Sequence, residues 1–591
     1  MTTQHYNLLI EAWCRRGGPD AIHQAERILH NEQMVPNSRS INMIVKAWVK
    51  VVADGKGNTA AAEEALERVE SMLQRAEELQ LANLRGYNLY LSALYLPRRH
   101  YDGKVAAAEL AERTLERMRE HGVPPDANSY LQCIIAWSKV GGRSSAERAQ
   151  QLFHQIKDSG LTPNTDCYNA LLNCWNRSGK SLSSAMQNVR LILEEMDERF
   201  QSTGDENAKP NQTTINTALT VLSKDRTLRS MKYAAELFAR AEEVHGIELD
   251  TLSYNLMIKF YSELGDATKP IELLDAMEKQ FRATTFGAGQ AGPTCMPDAF
   301  TYVSVINAIT SNSHGPGRGK KAEEILRRMD TLHRNALGAK PCAEVFNAVI
   351  NAWAVSRDRH AVHKAEKLLK EMEVRAEAGE EALRPTRKTY NTMLKVYASQ
   401  GQGEQAEALL DRIEDVADSY SYCTCINAYA KSESDDKAKK GVAILHRMEN
   451  AYKNGNKSAK PNVQAFNSCL NCCAYTTATE EKIEAFLIAV SAFLMLEKYT
   501  EPDHVTFASF LKAVSKLIPR GEERRRQVVD VVFNRCCRDG LVSPFVLQQL
   551  SFAASGDQYQ MLLQDYIETP GKRVSIYDIP TEWTRKVGRI R

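Results

Sequence analysis

At nine places in the chain an asparagine follows directly on Tyr, Phe or Ile and opens an aliphatic run: Asn7, Asn42, Asn88, Asn169, Asn216, Asn255, Asn347, Asn391 and Asn467. Four residues on stands Lys46, Lys259, Lys395 or Lys512, or a further amide at Asn173, Asn307, Asn351, Asn427 and Asn471. Eight residues on, a base recurs as Arg15, Lys50, Lys139, Arg177, Lys224, Lys431 and Lys516, and only Glu263 is acidic there. Asparagine is a poor residue inside a helix, so its repetition needs a cause. An amide carries a donor and an acceptor side by side and can read the edge of a nucleobase, while cations hold phosphates. Offsets of four and eight keep these groups on broadly one helix face. The competing reading is structural: the Asn ties neighbouring elements together, and an Asp or Asn ahead of it only caps the helix. Ser40, Ser129, Thr214, Ser253, Thr301, Thr389, Ser421 and Thr506, two residues before the same place, suit capping as well.

No catalytic or metal chemistry is expected. Gly287-Ala-Gly289-Gln-Ala-Gly292 follows no strand and runs into Pro293, so it is a connector and not a dinucleotide turn. The stretch from His314 through Gly315, Gly317 and Gly319 to Lys320-Lys321 lacks the first Gly and the Ser/Thr of a phosphate loop. His30-Asn31-Glu32 has no downstream Pro-Cys-x-x-Cys, and His360-x-x-His363 lacks zinc-protease spacing. Cys469-x-x-Cys472 has no second pair at metal spacing and falls on apolar positions. The expectation is no enzyme, no metal and no cofactor.

The elements that carry the amides repeat. The place of the Asn recurs at 7, 42, 88, 131, 169, 216, 255, 303, 347, 391, 423, 467 and 508, spaced 32 to 48 residues apart. A period of this size with helical apolar spacing and no strand signal predicts an α-solenoid of about thirteen two-helix units. The first helix of each unit, helix A, bears the amide. Helix B is rich in Ala, Glu, Leu and Met, as in Ala25-Glu26-Arg27-Ile28-Leu29 and Ala111 to Met118, and its charged residues are expected to face water. Helix B stops near a proline such as Pro36, Pro125 or Pro461, and Asp or Asn commonly follows. The expected boundaries are repeats over residues 3–543, then a C-terminal helix and a non-repeat tail over 544–591. The tail, Thr569 to Arg573 through Trp583, should extend across the last helices.

In helix A a small residue precedes a large one: Ala12-Trp13, Ala47-Trp48, Ala136-Trp137, Cys174-Trp175 and Ala352-Trp353, with Tyr397 and Tyr429 in the large place elsewhere. Recurrence once per unit marks packing between units, and it places most cysteines in the core. The run from Ala485 to Leu496 reads as a buried helix, too short to span a bilayer. The chain has 591 residues with 76 Lys and Arg against 74 Asp and Glu, a net charge of +2, so basic charge is concentrated on one surface instead of dominating the total. Thirteen cysteines without a secretion signal imply reduced thiols.

Tyr6-Asn7-Leu8-Leu9-Ile10-Glu11-Ala12 and its recurrences, closed by Pro-Asp or Pro-Asn, resemble the pentatricopeptide repeat family over residues 3–543. The resemblance implies a right-handed α-solenoid superhelix and one RNA base read per repeat. In the family, base identity follows from the helix-A residue and the last residue of the repeat. Carried over, Asn88 with Asp126, Asn216 with Asp250, Asn255 with Asp298, Asn391 with Asp418 and Asn467 with Asp503 would read U. Asn7 with Asn37, Asn42 with Asn83 and Asn169 with Asn211 would read C or U, whereas Asn347 with Thr386 gives a weak reading. The implied target is a pyrimidine-rich single strand. An apolar residue three before the Asn often sandwiches the base in the family; Gln4, Arg39, Arg85, Asp166, Glu344 and Lys388 stand there. Arg15, Lys50, Lys139, Arg177, Lys224, Lys431 and Lys516 are the phosphate contacts. The implied partners are single-stranded RNA and other RNA-processing proteins, not a membrane, and the implied setting is a mitochondrion or chloroplast. The repeats start beside Met1 with no leader, so the N-terminus is read as truncated. The alternative is a helical-repeat scaffold that binds proteins, with no base reading.

Overall fold

The computed structural model describes residues 3–31, 34–54, 59–95, 101–179, 182–225, 227–286, 295–312, 317–335, 338–356, 358–563, 566 and 574–587. Among these residues there are 28 α-helices and no strand. The Gly287–Gly292 connector, His314 to Pro316, Glu32 and the tail from Thr569 to Arg573 lie outside the described residues.

The chain divides into two units, Met1–Leu264 with Asp275–Met296, and Gly265–Leu274 with Pro297–Arg591. In the first, the A helices are Thr3–Arg16, Ser38–Asp54, Leu84–Leu94, Ala127–Val140, Thr165–Asn176, Gln212–Asp225 and Thr251–Glu263. In the second they are Ala299–Asn312, Ala343–Val355, Arg387–Gln400, Ser419–Lys431, Val463–Ala474 and His504–Leu517. Each carries one of the thirteen amide places, and each is followed by a B helix, among them Pro19–Leu29, Tyr101–Glu120, Ala361–Glu377, Gly403–Arg412 and Glu523–Asp539. Within each unit every A helix packs on the next A helix, and most pack also on the B helices before and after them, whereas B helices touch one another far less. The fold is therefore an all-α solenoid in which each unit has a continuous layer of A helices. A further short hairpin, Pro544–Ala553 and Gly556–Leu563, follows; its first helix lies on His504–Leu517 in the A layer, started by Ser543 as cap and Pro544 at the first turn.

Helix A starts where an Asp or Asn caps it. Asn83, Asp126, Asn164, Asp250, Asp418, Asn462 and Asp503 are extended and accept the amide N–H three residues on. Asp126, Asp418 and Asp503 form reciprocal capping boxes with Ser129, Ser421 and Thr506.

The small-large pair packs between repeats. Trp48, Trp175 and Trp353 are buried, as are Ala136, Cys174, Ala352, Cys472 and Cys473. Trp13 and Trp137 are only half-buried and Ala12 is exposed. Helix B accommodates the large ring with small residues: a methyl group on Gly319 would stand 2.3 Å from the Trp353 ring, and one on Gly403 2.4 Å from Tyr429 Cδ1.

The expectation that helix-B carboxylates face water fails at one place in each of four repeats. Trp48 Nε1 donates to Glu26 of the preceding B helix at 2.7 Å, and Trp137 Nε1 to Glu112 at 2.6 Å. The Tyr397 hydroxyl donates to Glu366 at 2.9 Å, and that of Tyr429 to Glu407 at 2.5 Å. In these four repeats the glutamate that follows the helix-B Ala turns inward to accept from the indole N–H or phenol, whereas the indole N–H groups of Trp175 and Trp353 find no acceptor among the described residues. Lys482–Leu496 corrects a second expectation. Ala485, Ala489, Ala492 and Leu496 are buried, but Ile483, Leu487 and Leu494 are exposed because the helix packs on one side only. No helix among the described residues is long and apolar enough to cross a membrane.

The described part of the tail lies across Glu523–Asp539. Val542 N–H donates to Trp583 O at 2.8 Å, and Trp583 stands edge-on to Phe533 at 5.9 Å.

Candidate nucleic-acid interface

Stacking the A helices brings the two members of most predicted pairs into contact across the repeat boundary. The amide Nδ2 donates to the cap of the next repeat in Asn42–Asn83 (3.0 Å), Asn88–Asp126 (3.2 Å), Asn169–Asn211 (3.2 Å), Asn216–Asp250 (3.1 Å), Asn391–Asp418 (3.2 Å) and Asn467–Asp503 (3.1 Å). The amide oxygen is held as well. Ser129 donates to Asn88 Oδ1 at 2.7 Å, Thr214 to Asn169 at 2.7 Å, Ser253 to Asn216 at 2.6 Å and Ser421 to Asn391 at 2.6 Å. The residues that cap helix A thus also orient the Asn of the repeat before. Asn7, Asn347 and Asn467 differ: each has a buried amide oxygen that finds no donor among the described residues. Asn255 lies in the first unit and Asp298 in the second, and Asp298 caps its own helix by accepting from Thr301 N–H at 2.8 Å. Asn37 caps through Ser40 N–H at 2.9 Å.

The rows at four and eight residues also align. Lys395 Nζ donates to Asn351 Oδ1 on the preceding A helix at 2.8 Å. Lys224 Nζ reaches both oxygens of Asn176, the carbonyl and Oδ1, at 2.6 Å. All seven bases at the eighth place are exposed. Arg15 pairs with Glu11 at 2.6 Å, whereas Lys50, Lys139, Arg177, Lys224, Lys431 and Lys516 pair with no carboxylate among the described residues. Partial burial, and then the neighbouring Arg177 charge, hold Lys224 below the ordinary lysine value. Two like charges kept side by side without an acid form a place where an anion is stabilised.

In the second unit these rows bound a groove of about 510 Å³. Its walls carry Asn307, Asn347, Asn351, Asn391 and Lys395 from three successive A helices, with Asp418 and Tyr420 at the end. Amides line it together with three cations, Arg387, Lys388 and Lys395, and two carboxylates, Glu344 and Asp418, so it suits a polar ligand.

A family model described as a pentatricopeptide repeat domain matches residues 113–177, and one described as a PPR repeat matches 252–280 and 388–415. A pentatricopeptide repeat-containing protein of Arabidopsis thaliana is 23% identical over 209 residues, which span 35% of this chain and 31% of that relative. The matched segments are pentatricopeptide repeats. The match thus covers under a third of the curated relative's own length. Among solved structures, maize PPR10 is 19% identical with a TM-score of 0.45, over 92% of this chain and 80% of PPR10. PPR10 in complex with an 18-nucleotide psaJ RNA element is 18% identical with a TM-score of 0.38, over 95% and 79%. Yeast Rmd9p in complex with its 16-nucleotide target RNA is 11% identical with a TM-score of 0.35, over 84% and 95%.

Three repeats carry an exposed apolar side chain three residues before the amide place, which sequence reasoning passed over: Leu252, Phe300 and Tyr420 are 53%, 56% and 49% exposed. The signal was present in the spacing, because each stands at the same place as Glu344 and Lys388. Large apolar side chains held in water beside the amides offer faces for stacking. The cysteines belong to the packing instead. Cys469 and Cys472 are fully buried, and burial pushes the thiols of Cys167 to about 11 and Cys423 to about 12. No group of three or more metal-ligating side chains occurs among the described residues.

Proposed function

We propose that this protein binds single-stranded RNA along its A-helix layer, reading one base per repeat, and acts without catalysis in organellar RNA processing, stability or translation. The observation that carries the reading is the contact, made in six repeats, between a helix-A Asn and the cap of the next repeat. That contact sets an amide edge at one fixed position per repeat, with uncompensated cations two turns away on the same face. The amide and cap pairs support a pyrimidine-rich target, U at Asn88, Asn216, Asn391 and Asn467 and C or U at Asn42 and Asn169. Proteins matched by this chain at low identity include PPR10 and yeast Rmd9p in complex with RNA, and RNA is the first ligand class to test. By family habit the setting is a mitochondrion or chloroplast.

In vitro selection from a random RNA pool tests the reading, with affinity measured against salt. Seven phosphate contacts give a slope of log K against log salt of about −5 on a single strand. A slope near zero and no retained RNA would refute RNA binding; retained RNA without pyrimidine bias would refute only the carried-over code. The exposed row of Ile483, Leu487 and Leu494 favours a second role in binding a protein, tested by capture of partners that survives RNase treatment.

A further inference from the structure

At the eighth place after the amide, where seven repeats carry a base, Asn467 is followed by Tyr475. Tyr475 caps the C-terminal end of Val463–Ala474 and is 48% exposed. The two A helices packed against it, Ser419–Lys431 and His504–Leu517, carry Lys431 and Lys516 at the equivalent place. Lys512, one turn before Lys516, sets its Nζ 4.1 Å above the centre of the Tyr475 ring and donates to its hydroxyl at 2.9 Å. No carboxylate among the described residues pairs with Lys431, Lys512 or Lys516. The charges are felt at the ring: the hydrogen bond and charge of Lys512, then Lys431 and Lys516, hold the phenol below its ordinary range.

Packing does not explain this side chain. The repeat's place for a large core residue is taken by the buried Cys473, and Tyr475 projects beyond it. Three ammonium groups around one exposed ring repel each other, and only the ring face and amide oxygens offset them.

We infer that Tyr475, Lys431, Lys512 and Lys516 form a nucleotide platform at this end of the A layer, on which a base of the bound strand stacks while its flanking phosphates lie between the lysines. This rests on the RNA-binding reading above and deepens it. The amides read base edges, whereas this ring takes a base face, and every base has one. In the free protein Lys512 covers the ring; a phosphate draws its ammonium to the anion and releases the ring to the base. The contact therefore adds affinity without sequence preference and holds one nucleotide of the strand in register.

The test measures anisotropy of labelled oligouridine and oligoadenosine with the full chain. Tyr475→Leu should weaken both strands by a similar factor, about tenfold, as expected for one lost base stack. Tyr475→Phe keeps the ring and should bind within about twofold of the unaltered protein, which separates loss of stacking from loss of fold. Lys512→Gln should make the salt slope shallower by about 0.7. With 4-thiouridine placed at successive positions, one position should crosslink to the peptide that contains Tyr475. If the unaltered protein binds the strands and Tyr475→Leu binds both equally well, the platform is refuted while RNA binding stands; an acidic peptide as the ligand of the cluster predicts that result. If the unaltered protein binds no single strand, both readings fall together.

Discussion

Ser421→Ala separates orienting a reading amide from merely supplying one. Ser421 is fully buried at the start of Ser419–Lys431. Its single hydroxyl proton is shared between Asn391 Oδ1 at 2.6 Å and Asp418 Oδ1 at 3.0 Å, and its oxygen accepts from Asp418 N–H at 3.1 Å. Alanine leaves Asn391 and Asp418 in place but removes the donor that fixes the amide oxygen and one half of the capping box. Both partners are half-buried, so water recovers part of the loss, and the local cost is about 1–2 kcal/mol. The freed Asn391 side chain must then be ordered on binding, which costs roughly 0.5–1.5 kcal/mol, or about a three- to tenfold loss of affinity for a strand that places its preferred base there. Charge is unchanged, so the salt slope should not move. Ser421→Thr is the control: Thr214 makes the same bond to Asn169, so threonine should bind and protect like serine. Hydrogen–deuterium exchange of the first turns after Asp418 reads the stability term, and titration of a single-stranded RNA reads the affinity. If Ser421→Ala leaves exchange and affinity at the level of the unaltered protein, the idea that repeat-to-repeat caps preorganise the amides is wrong.

The packing and pairing arguments make further predictions. Gly403→Ala drives a methyl group to 2.4 Å from Tyr429, so exchange in Gly403–Arg412 should speed up; slower exchange would show that the ring has room to move. Trp48→Phe takes the indole donor from the buried Glu26 and should lower the denaturant resistance of the first two repeats by about 2 kcal/mol, an unchanged unfolding profile counting against a structural role for that bond. Asn88→Thr, which keeps Asp126 as its partner, should shift one selected position from U towards G and leave the others alone. A selected motif identical to that of the unaltered protein would remove Asn88 from the code.

What the sequence disclosed and what it withheld divide by distance along the chain. Helix A was readable because its start is local: Asp126 and Ser129 are three residues apart, and the capping box they form needs no knowledge of the fold. The repeat followed from the same local signals recurring. What Ser129 does besides capping was not readable, because its second partner, Asn88, lies 41 residues earlier and is reached only once repeats stack. The same limit hid Glu26 and Glu366. Periodicity assigns a charged residue to water, and only the packed structure shows that Trp48 and Tyr397 bring a donor that must be satisfied inside. Ile483 and Leu487 fail in the opposite sense. Periodicity marks them as apolar, but whether an apolar residue is covered depends on a neighbour, and the B helices approach each other too little to supply one. Tyr475 combines both limits. Its spacing places it in the cationic row, yet that it stands exposed among lysines from two other repeats depends on contacts 37 to 44 residues apart, the range over which a solenoid assembles its surface.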